Sequence, residues 1–396
     1  MKEGVLFEIT RDQLETGMRG FPIGYCTTSH VDPKKGLTYI GRPIADLCRW
    51  DPIDVIYLLY HGEPGRKDQI VEFRRNLNHR AFCSEDTIRH IQALPKKGSA
   101  MDLFAAALLI AGVYESDENY RDDCLNVIAK LPQIVATLIN HHAGWGETPP
   151  PNPDLGYVEN FIHMLRLPTL KTEQLTEVLR MFNITHYDHG GGNLSTFVGK
   201  AVASALEPMF GSLAGAITAL AGPRHGGANE DCLAFMQQLV KELGDELSEE
   251  HVAHWLRRRL ERNELIFGFG HAVLRVEDPR ATLFYHYGLK EFPDHPLIKA
   301  AALLRKVGPK ILSENKKISN PFPNIDAITG PLLTAAGFPY PDYFPLLFGL
   351  SRCVGIAIQI VYERLEARGG KGTPIVRPDY LYKSREQISH VVKKAQ

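Results

Sequence analysis

The chain has 396 residues, 44% hydrophobic and 23% charged, a balance that excludes a disordered or fibrous protein and supplies ample core. Forty-five Lys and Arg against forty-six Asp and Glu leave a formal charge of −1, so no extended basic surface for nucleic acid or anionic lipid is expected. One hydrophobic core would be oversized at this length, which points to two domains or to one domain carrying an insertion.

The N-terminal MKEGVLFEIT carries acids and has neither an apolar signal core nor the Arg-rich look of a transit peptide. No apolar run approaches the ~20 residues of a membrane helix. The six cysteines (Cys26, Cys48, Cys83, Cys124, Cys232, Cys353) are scattered, without CxxC or metal-ligand spacing, and read as reduced thiols. A cytoplasmic protein with no membrane partner is the expectation. Short extended segments are predicted at Val5–Ile9 and Leu37–Ile44. From Asp51 onward, apolar residues recur at three- and four-residue spacing, predicting helices over Pro52–His61, Lys67–Asn78, Ser84–Ala93, Ser99–Val113 and Asn119–His142. The Pro-rich TPPPNPD then reads as a rigid surface loop. Further helices are predicted from Thr172 to His186, from Leu194 to Leu206, through SLAGAITALAG, from about His225, over Ser248–Arg262, from Ala281, and from Asp342 to about Ala367. PFPNIDAITG reads as a proline-interrupted loop.

Four irregular segments concentrate His, Arg and Asp between these helices: HYDHGGGN (186–193), GPRHGGAN (222–229), GFGHAVLRVEDPR (268–280) and PNIDAITG (323–330). Taken singly, each has a bland reading. A histidine beside glycine is most often a turn or core residue, Asp326 alone a helix cap, and Arg275 and Arg280 beside Asp278 a surface ion-pair cluster. GGG and GFG are too sparse for a dinucleotide fingerprint and follow no convincing strand. His186 and His189 lie three apart, but no HExxH or Cys/His pattern joins them, so no metal is expected.

Taken together, the four segments resemble the motifs of the citrate synthase family. HYDHGGGN is similar to its H-x-D-H-E-x-x-N, GPRHGGAN to G-P-x-H-G-x-A-N, GFGHAVLRVEDPR to G-[YF]-G-H-x-V-x-[RK]-x-x-D-P-R, and PNIDAITG to P-N-[VI]-D-x-x-[ST]-G. GLTYIGRPIADLC, FGLSRCVG and IVRP add matches near both ends, so the resemblance spans nearly the whole chain. It implies a mainly α, two-domain multihelical fold with a small domain (227–337) inserted in a large one (1–226 and 338–396). It also implies an acyltransferase that condenses acetyl-CoA, a co-substrate and not a permanently bound cofactor, with oxaloacetate, and then hydrolyses the citryl-CoA intermediate.

Carried over residue by residue, the resemblance makes Asp326 the base for the acetyl-CoA methyl group and His225 the hydrogen-bond donor to the thioester carbonyl. His271 becomes the donor to the oxaloacetate ketone. His189, Arg280, Arg352 and Arg377 would hold the two carboxylates, with Arg377 reaching across a homodimer. Gly268, Gly270, Arg275 and Lys317 would lie along CoA. These residue types suit the reaction. A thioester methyl is so weak a carbon acid that a carboxylate needs its enolate stabilised simultaneously, and guanidinium forks match a planar dianion where lysine does not. His225, following Gly-Pro and opening a helix, is expected to stay neutral. Water exclusion calls for domain closure over oxaloacetate. Gly190 stands where the family motif has Glu, which bears on how His189 is oriented. The extra N-terminal domain of the larger bacterial enzymes has no counterpart, implying a dimer without NADH inhibition. The alternatives are a propionyl-CoA-using 2-methylcitrate synthase, which no single residue distinguishes, and a non-catalytic helical scaffold that binds CoA or a protein.

Overall fold

The computed structural model describes residues 4–385 apart from 171, 317 and 319, so Lys317 lies outside the described residues. The helices begin where side-chain oxygens can take up the free N–H groups of a first turn. Asp51 accepts from Ile53, Asn119 from Arg121, Thr172 from Leu175, Asn193 from Thr196 and Ser248 from His251. Left-handed Gly62 and Gly144 stop Pro52–His61 and Tyr120–Ala143.

Two deeply buried helices organise the molecule. Tyr120–Ala143 and Phe344–Val361 pack on each other, and Ala100–Glu115, Leu194–Ser204 and Met209–Leu220 pack around them. Gly355 lets Phe344–Val361 approach the end of Glu173–His186 closely, since a methyl there would lie 2.3 Å from the Tyr187 carbonyl. A second cluster comprises Ala228–Leu243, Glu249–Glu261, Pro279–Glu291, Pro296–Ser313 and Asp326–Ala335. The described strands form one small antiparallel sheet, Ser29–Asp32, Gly36–Tyr39 and Arg42–Pro43, with Ser29 opposite Tyr39 and Thr38 opposite Pro43. Gly36, at φ +86°, turns this hairpin against Pro279, where a Cβ would lie 2.4 Å from the proline ring.

Several expectations need correction. Val5–Ile9 forms no strand. PNIDAITG is not a loop throughout, because Asp326 is the first residue of a helix that carries Pro331 in its interior. The helix after GPRHGG starts at Ala228, so His225 lies in the preceding turn. The last long helix passes through a π-helical turn at Tyr362–Glu366 before ending. The segment Pro341–Gly370 is, by length and composition, apolar enough to cross a membrane, yet its most apolar stretch of 18 residues is 94% buried in the protein interior. Gly, Ser, Gln and Arg352 break up its apolar run in the sequence, which is why it reads there as an ordinary helix.

Candidate active site

The loop after Glu173–His186 carries the first group of site residues. His186 points inward, stacked on Phe182 with ring centroids 4.1 Å apart and its Nδ1 2.8 Å from the Phe182 carbonyl, so it is a core histidine. Asp188 is fully buried and accepts bonds from the Thr28 hydroxyl, from the His189 N–H at 2.8 Å and from Gln359 Nε2 at 2.8 Å. The Tyr39 hydroxyl takes the Asp188 N–H at 3.1 Å and donates to the Ile184 carbonyl at 2.9 Å. Burial raises the Asp188 pKa, opposed mainly by the Thr28 bond. His189 Nε2 is buried with no hydrogen-bond partner among the described residues. Burial first, then the charges of Arg280 and Arg352, holds this ring neutral by pushing its pKa well below the usual value.

The second group is built where two irregular strands of chain are stitched together. Asn324 N–H donates to the Gly268 carbonyl and Gly270 N–H to that of Phe322, each at 3.0 Å, and Asn324 Nδ2 reaches the Gly270 carbonyl at 2.9 Å. Gly268, at φ +81°, sits so close to the Asp326 helix that a Cβ would lie 2.9 Å from both Ala327 Cα and Cys232 Sγ. This seam sets Asp326 beside the loop of His271. His271 Nδ1 accepts the N–H groups of Val273 (3.0 Å) and Leu274 (2.9 Å), which leaves the proton of the neutral ring on Nε2. Burial, reinforced by Arg280, lowers its pKa to about 4.

Arg280 is the shared element. Its guanidinium is buried and clasped by Asp278, with Nη2 to Oδ2 at 2.7 Å and Nε to Oδ1 at 3.1 Å, and Asp278 also caps the Pro279–Glu291 helix by accepting the Arg280 N–H. This pair belongs to the interior, not to the surface cluster that the sequence allows. Burial raises the Asp326 pKa to about 6, opposed by Arg280 and assisted by Asp278. The rings of His189 and His271 meet edge to face with centroids 5.3 Å apart.

Arg352 projects from the buried Phe344–Val361 helix, 2% exposed, with Nε donating to the His186 carbonyl at 2.9 Å and its guanidinium over the Phe348 ring at 4.8 Å. Among the described residues no carboxylate lies within ion-pair distance of it, and burial lowers its pKa to about 10. His225 stands edge-on to the same Phe348 ring at 6.1 Å. Its Nε2 is 2.9 Å from Ser195 Oγ and 3.4 Å from the Ser195 N–H. The Ser195 hydroxyl itself donates to Asn193 Oδ1 at 2.9 Å, so a chain of polar groups runs from the His225 ring through Ser195 to Asn193. The His225 pKa falls to about 4 through burial and the charge of Arg352. Neutrality is as expected, although its cause is burial rather than the end of a helix.

The structure thus brings His189, His271, Arg280 and Arg352 into one electrostatic cluster, with Asp326 joined to it through Arg280 and His225 through Arg352. Among the described residues no hydrogen bond links His225 directly to Asp326. Arg275 folds back, Nη1 donating to the carbonyls of Leu274 (2.8 Å) and Val273 (3.0 Å), so it braces the His271 loop. A cavity of about 400 Å³ beside it is lined by Leu265, Ile266, Phe269, Gly270, His271 and Asn320. Arg377 is exposed and adjoins a separate cavity of about 470 Å³ with Gly191 and Gly192, and among the described residues no hydrogen bond or ion pair joins it to His189, Arg280 or Arg352. Among the described residues no group of three or more His, Cys, Asp and Glu is arranged to hold a metal ion.

Sequence reading misses the supporting residues. Asp188 and Asp278 stand inside quoted motifs and were within reach of it. Thr28, Ser195 and Gln359 meet their partners 160, 30 and 171 residues away in the chain, a distance no local pattern bridges.

The chain is similar to known proteins along nearly its whole length. Residues 17–379 match the family model "Citrate synthase, C-terminal domain". Citrate synthase 4, mitochondrial, of Arabidopsis thaliana is 33% identical over 383 residues, covering 91% of this chain and 80% of the relative, and the mitochondrial citrate synthase of Citrus maxima is 32% identical, covering 94% and 83%. The citrate synthase of Thermotoga maritima superposes with a TM-score of 0.78 at 27% identity, covering 93% of this chain and 95% of that one. That of Thermoplasma acidophilum, solved as a ternary complex with carboxymethyl coenzyme A and oxaloacetate, superposes with a TM-score of 0.80 at 23% identity, covering 93% and 96%, a likeness of fold. With ordered motifs, helical architecture and relatives agreeing along nearly its whole length, the chain belongs to the citrate synthase family.

Proposed function

We propose that the protein condenses acetyl-CoA with oxaloacetate and hydrolyses the citryl thioester to citrate and CoA. The observation that carries this reading is the pairing of two buried groups, the Arg352 guanidinium, with no carboxylate within ion-pair distance among the described residues, and His189 Nε2, with no hydrogen-bond partner among them. The Asp188 charge compensates this guanidinium only in part, from beyond ion-pair distance, so burial remains costly and a small dianion relieves that cost. Arg280, already neutralised by Asp278, offers its remaining N–H groups with little change in net charge.

The mechanism follows from the proton positions. The Asp326 carboxylate, ionised above pH 6, removes a methyl proton from the thioester. The neutral His225 ring donates a hydrogen bond to the developing enolate oxygen, and Ser195 braces its Nε2 from behind. The enol carbon attacks the oxaloacetate ketone while His271 Nε2 donates to its oxygen. The two backbone bonds at Nδ1 and the charge of Arg280 stabilise the ring as it gives up its proton. Hydrolysis then releases CoA, with the domains closing to delay water until condensation is complete. The CoA chain is assigned to the 400 Å³ cavity lined by Gly270 and His271, on the loop that also carries Gly268 and Arg275.

The domain division 1–226 and 338–396 around 227–337 is proposed on the two helix clusters. A homodimer with Arg377 acting in trans is supported by the exposed apolar side chains flanking it, Ile375, Val376, Tyr380, Leu381 and Tyr382. A cytoplasmic location is supported by six free thiols and is tested by fractionation. Steady-state kinetics with acetyl-CoA and propionyl-CoA side by side, reading thiol release in the presence of oxaloacetate, test the substrate assignment. A higher kcat/KM for acetyl-CoA is expected, and a preference for propionyl-CoA would make the protein a 2-methylcitrate synthase. An absence of turnover with either would favour a scaffold.

A further inference from the structure

His189 has to be held with its Nε2 facing the anion, yet its own loop supplies little to hold it. Gly190, at φ +75°, contributes backbone alone, and a Cβ there would meet open space. The loop is anchored instead by what bonds its backbone. The His189 N–H is bound by Asp188 Oδ1, the Gly190 N–H by Ser29 Oγ at 2.7 Å, and the Gly190 carbonyl by Asn193 Nδ2 at 2.9 Å. Asp188 Oδ1 in turn is held by Gln359 Nε2 at 2.8 Å, and the same amide nitrogen lies 3.5 Å from the Gly190 carbonyl. Gln359 extends from the Phe344–Val361 helix, two turns beyond Arg352, and is 2% exposed. Its amide orientation is dictated by Asp188. The reverse orientation would set Oε1 against a carboxylate, and the present one is kept even though Oε1 finds no donor among the described residues.

We propose that Gln359 is a positioning residue for oxaloacetate binding, fixing the His189 loop through Asp188 and so tying His189 to the helix that carries Arg352. Because Gln359 and Arg352 share one rigid helix, the two groups that meet the dianion are set in register from a single element. This inference rests on the function proposed above for the role of His189, but not for the contact itself.

The test compares the full-length wild type with Gln359→Leu and with Gln359→Glu, which keeps the size of the side chain and removes the donor. Amide hydrogen exchange, read without substrate, is expected to accelerate at His189 and Gly190 in both variants while the Phe344–Val361 helix stays protected. The oxaloacetate KM is expected to rise about tenfold, the scale of a small misplacement of a binding group, with the acyl-CoA KM within about twofold of wild type. A merely structural defect would lower the folded fraction without splitting the two KM values. Unchanged exchange at His189 and Gly190, or a parallel shift of both KM values, would overturn the assignment. The exchange arm needs no turnover, so a wild type that fails to condense these substrates counts against the function alone, and unchanged exchange counts against Gln359 alone.

Discussion

Replacing Arg352 by Met should make the unliganded protein more stable while crippling its affinity for oxaloacetate. The guanidinium is 2% exposed, has no carboxylate within ion-pair distance among the described residues, and is pushed by burial well below its usual range, to about 10. At ~1.4 kcal/mol per pH unit, this corresponds to about 3 kcal/mol of unfavourable burial of the charge. The sign follows from proton linkage. The folded state binds this proton less tightly than the unfolded chain, so the penalty is complete at all pH values below about 10 and is relieved only as pH rises beyond that. Against it stand the bond to the His186 carbonyl, worth ~1 kcal/mol, and the contact with Phe348, worth roughly 0.5–1 kcal/mol. Met fills a similar apolar volume, so a net gain of about 1–2 kcal/mol is expected, visible as a small upward shift in Tm without substrate. Added oxaloacetate should raise the Tm of the wild type and not that of the variant, and the oxaloacetate KM of the variant should rise by at least ~10²-fold, the scale of losing a buried charge-assisted contact. A variant that melts well below the wild type, or that keeps a normal oxaloacetate KM, would refute the reasoning.

Two further outcomes follow from the same geometry. With Asp326 as the proposed base and its pKa at about 6, kcat/KM should fall on acidification through pH 6, whereas His225 and His271, both near 4, should stay neutral and add no limb above that; a pH–rate profile flat from pH 7 to 5 would contradict this. Gly268→Ala should cost about 1–3 kcal/mol, through its φ of +81° and a Cβ at 2.9 Å from Ala327 Cα, and should lower kcat more than either KM by displacing Asp326; thermal melts and steady-state kinetics together check it.

The fold was legible where the governing chemistry is local. Asn119, Thr172, Asn193 and Ser248 announce helix starts because a short oxygen-bearing side chain folds back on its own first turn, and Gly144 announces a stop because a left-handed residue is needed there. It was illegible where a tertiary contact overrules that chemistry. Pro321, Pro323 and Pro331 make the Asp326 segment read as loop, yet burial of Ala327, Ile328, Leu332 and Leu333 carries a helix through Pro331. Val5–Ile9 is apolar enough to read as a strand and finds no partner among the described residues. For the site, motif residues declared themselves through glycine breaks and clustered His, Arg and Asp. Their supports did not. Thr28 is an unremarkable residue in TTSH until the fold carries it to Asp188, and Gln359 looks like any polar interruption of an apolar helix.

The central claim is that one carboxylate drives the chemistry in concert with two neutral imidazoles. Turnover of Asp326→Asn against wild type, measured as CoA release from acetyl-CoA with saturating oxaloacetate, tests it most directly. The account predicts citrate and CoA in equal amounts from the wild type and a kcat at least ~10²-fold lower in the variant, the usual scale for losing a general base. A variant turning over at near wild-type rate would contradict it.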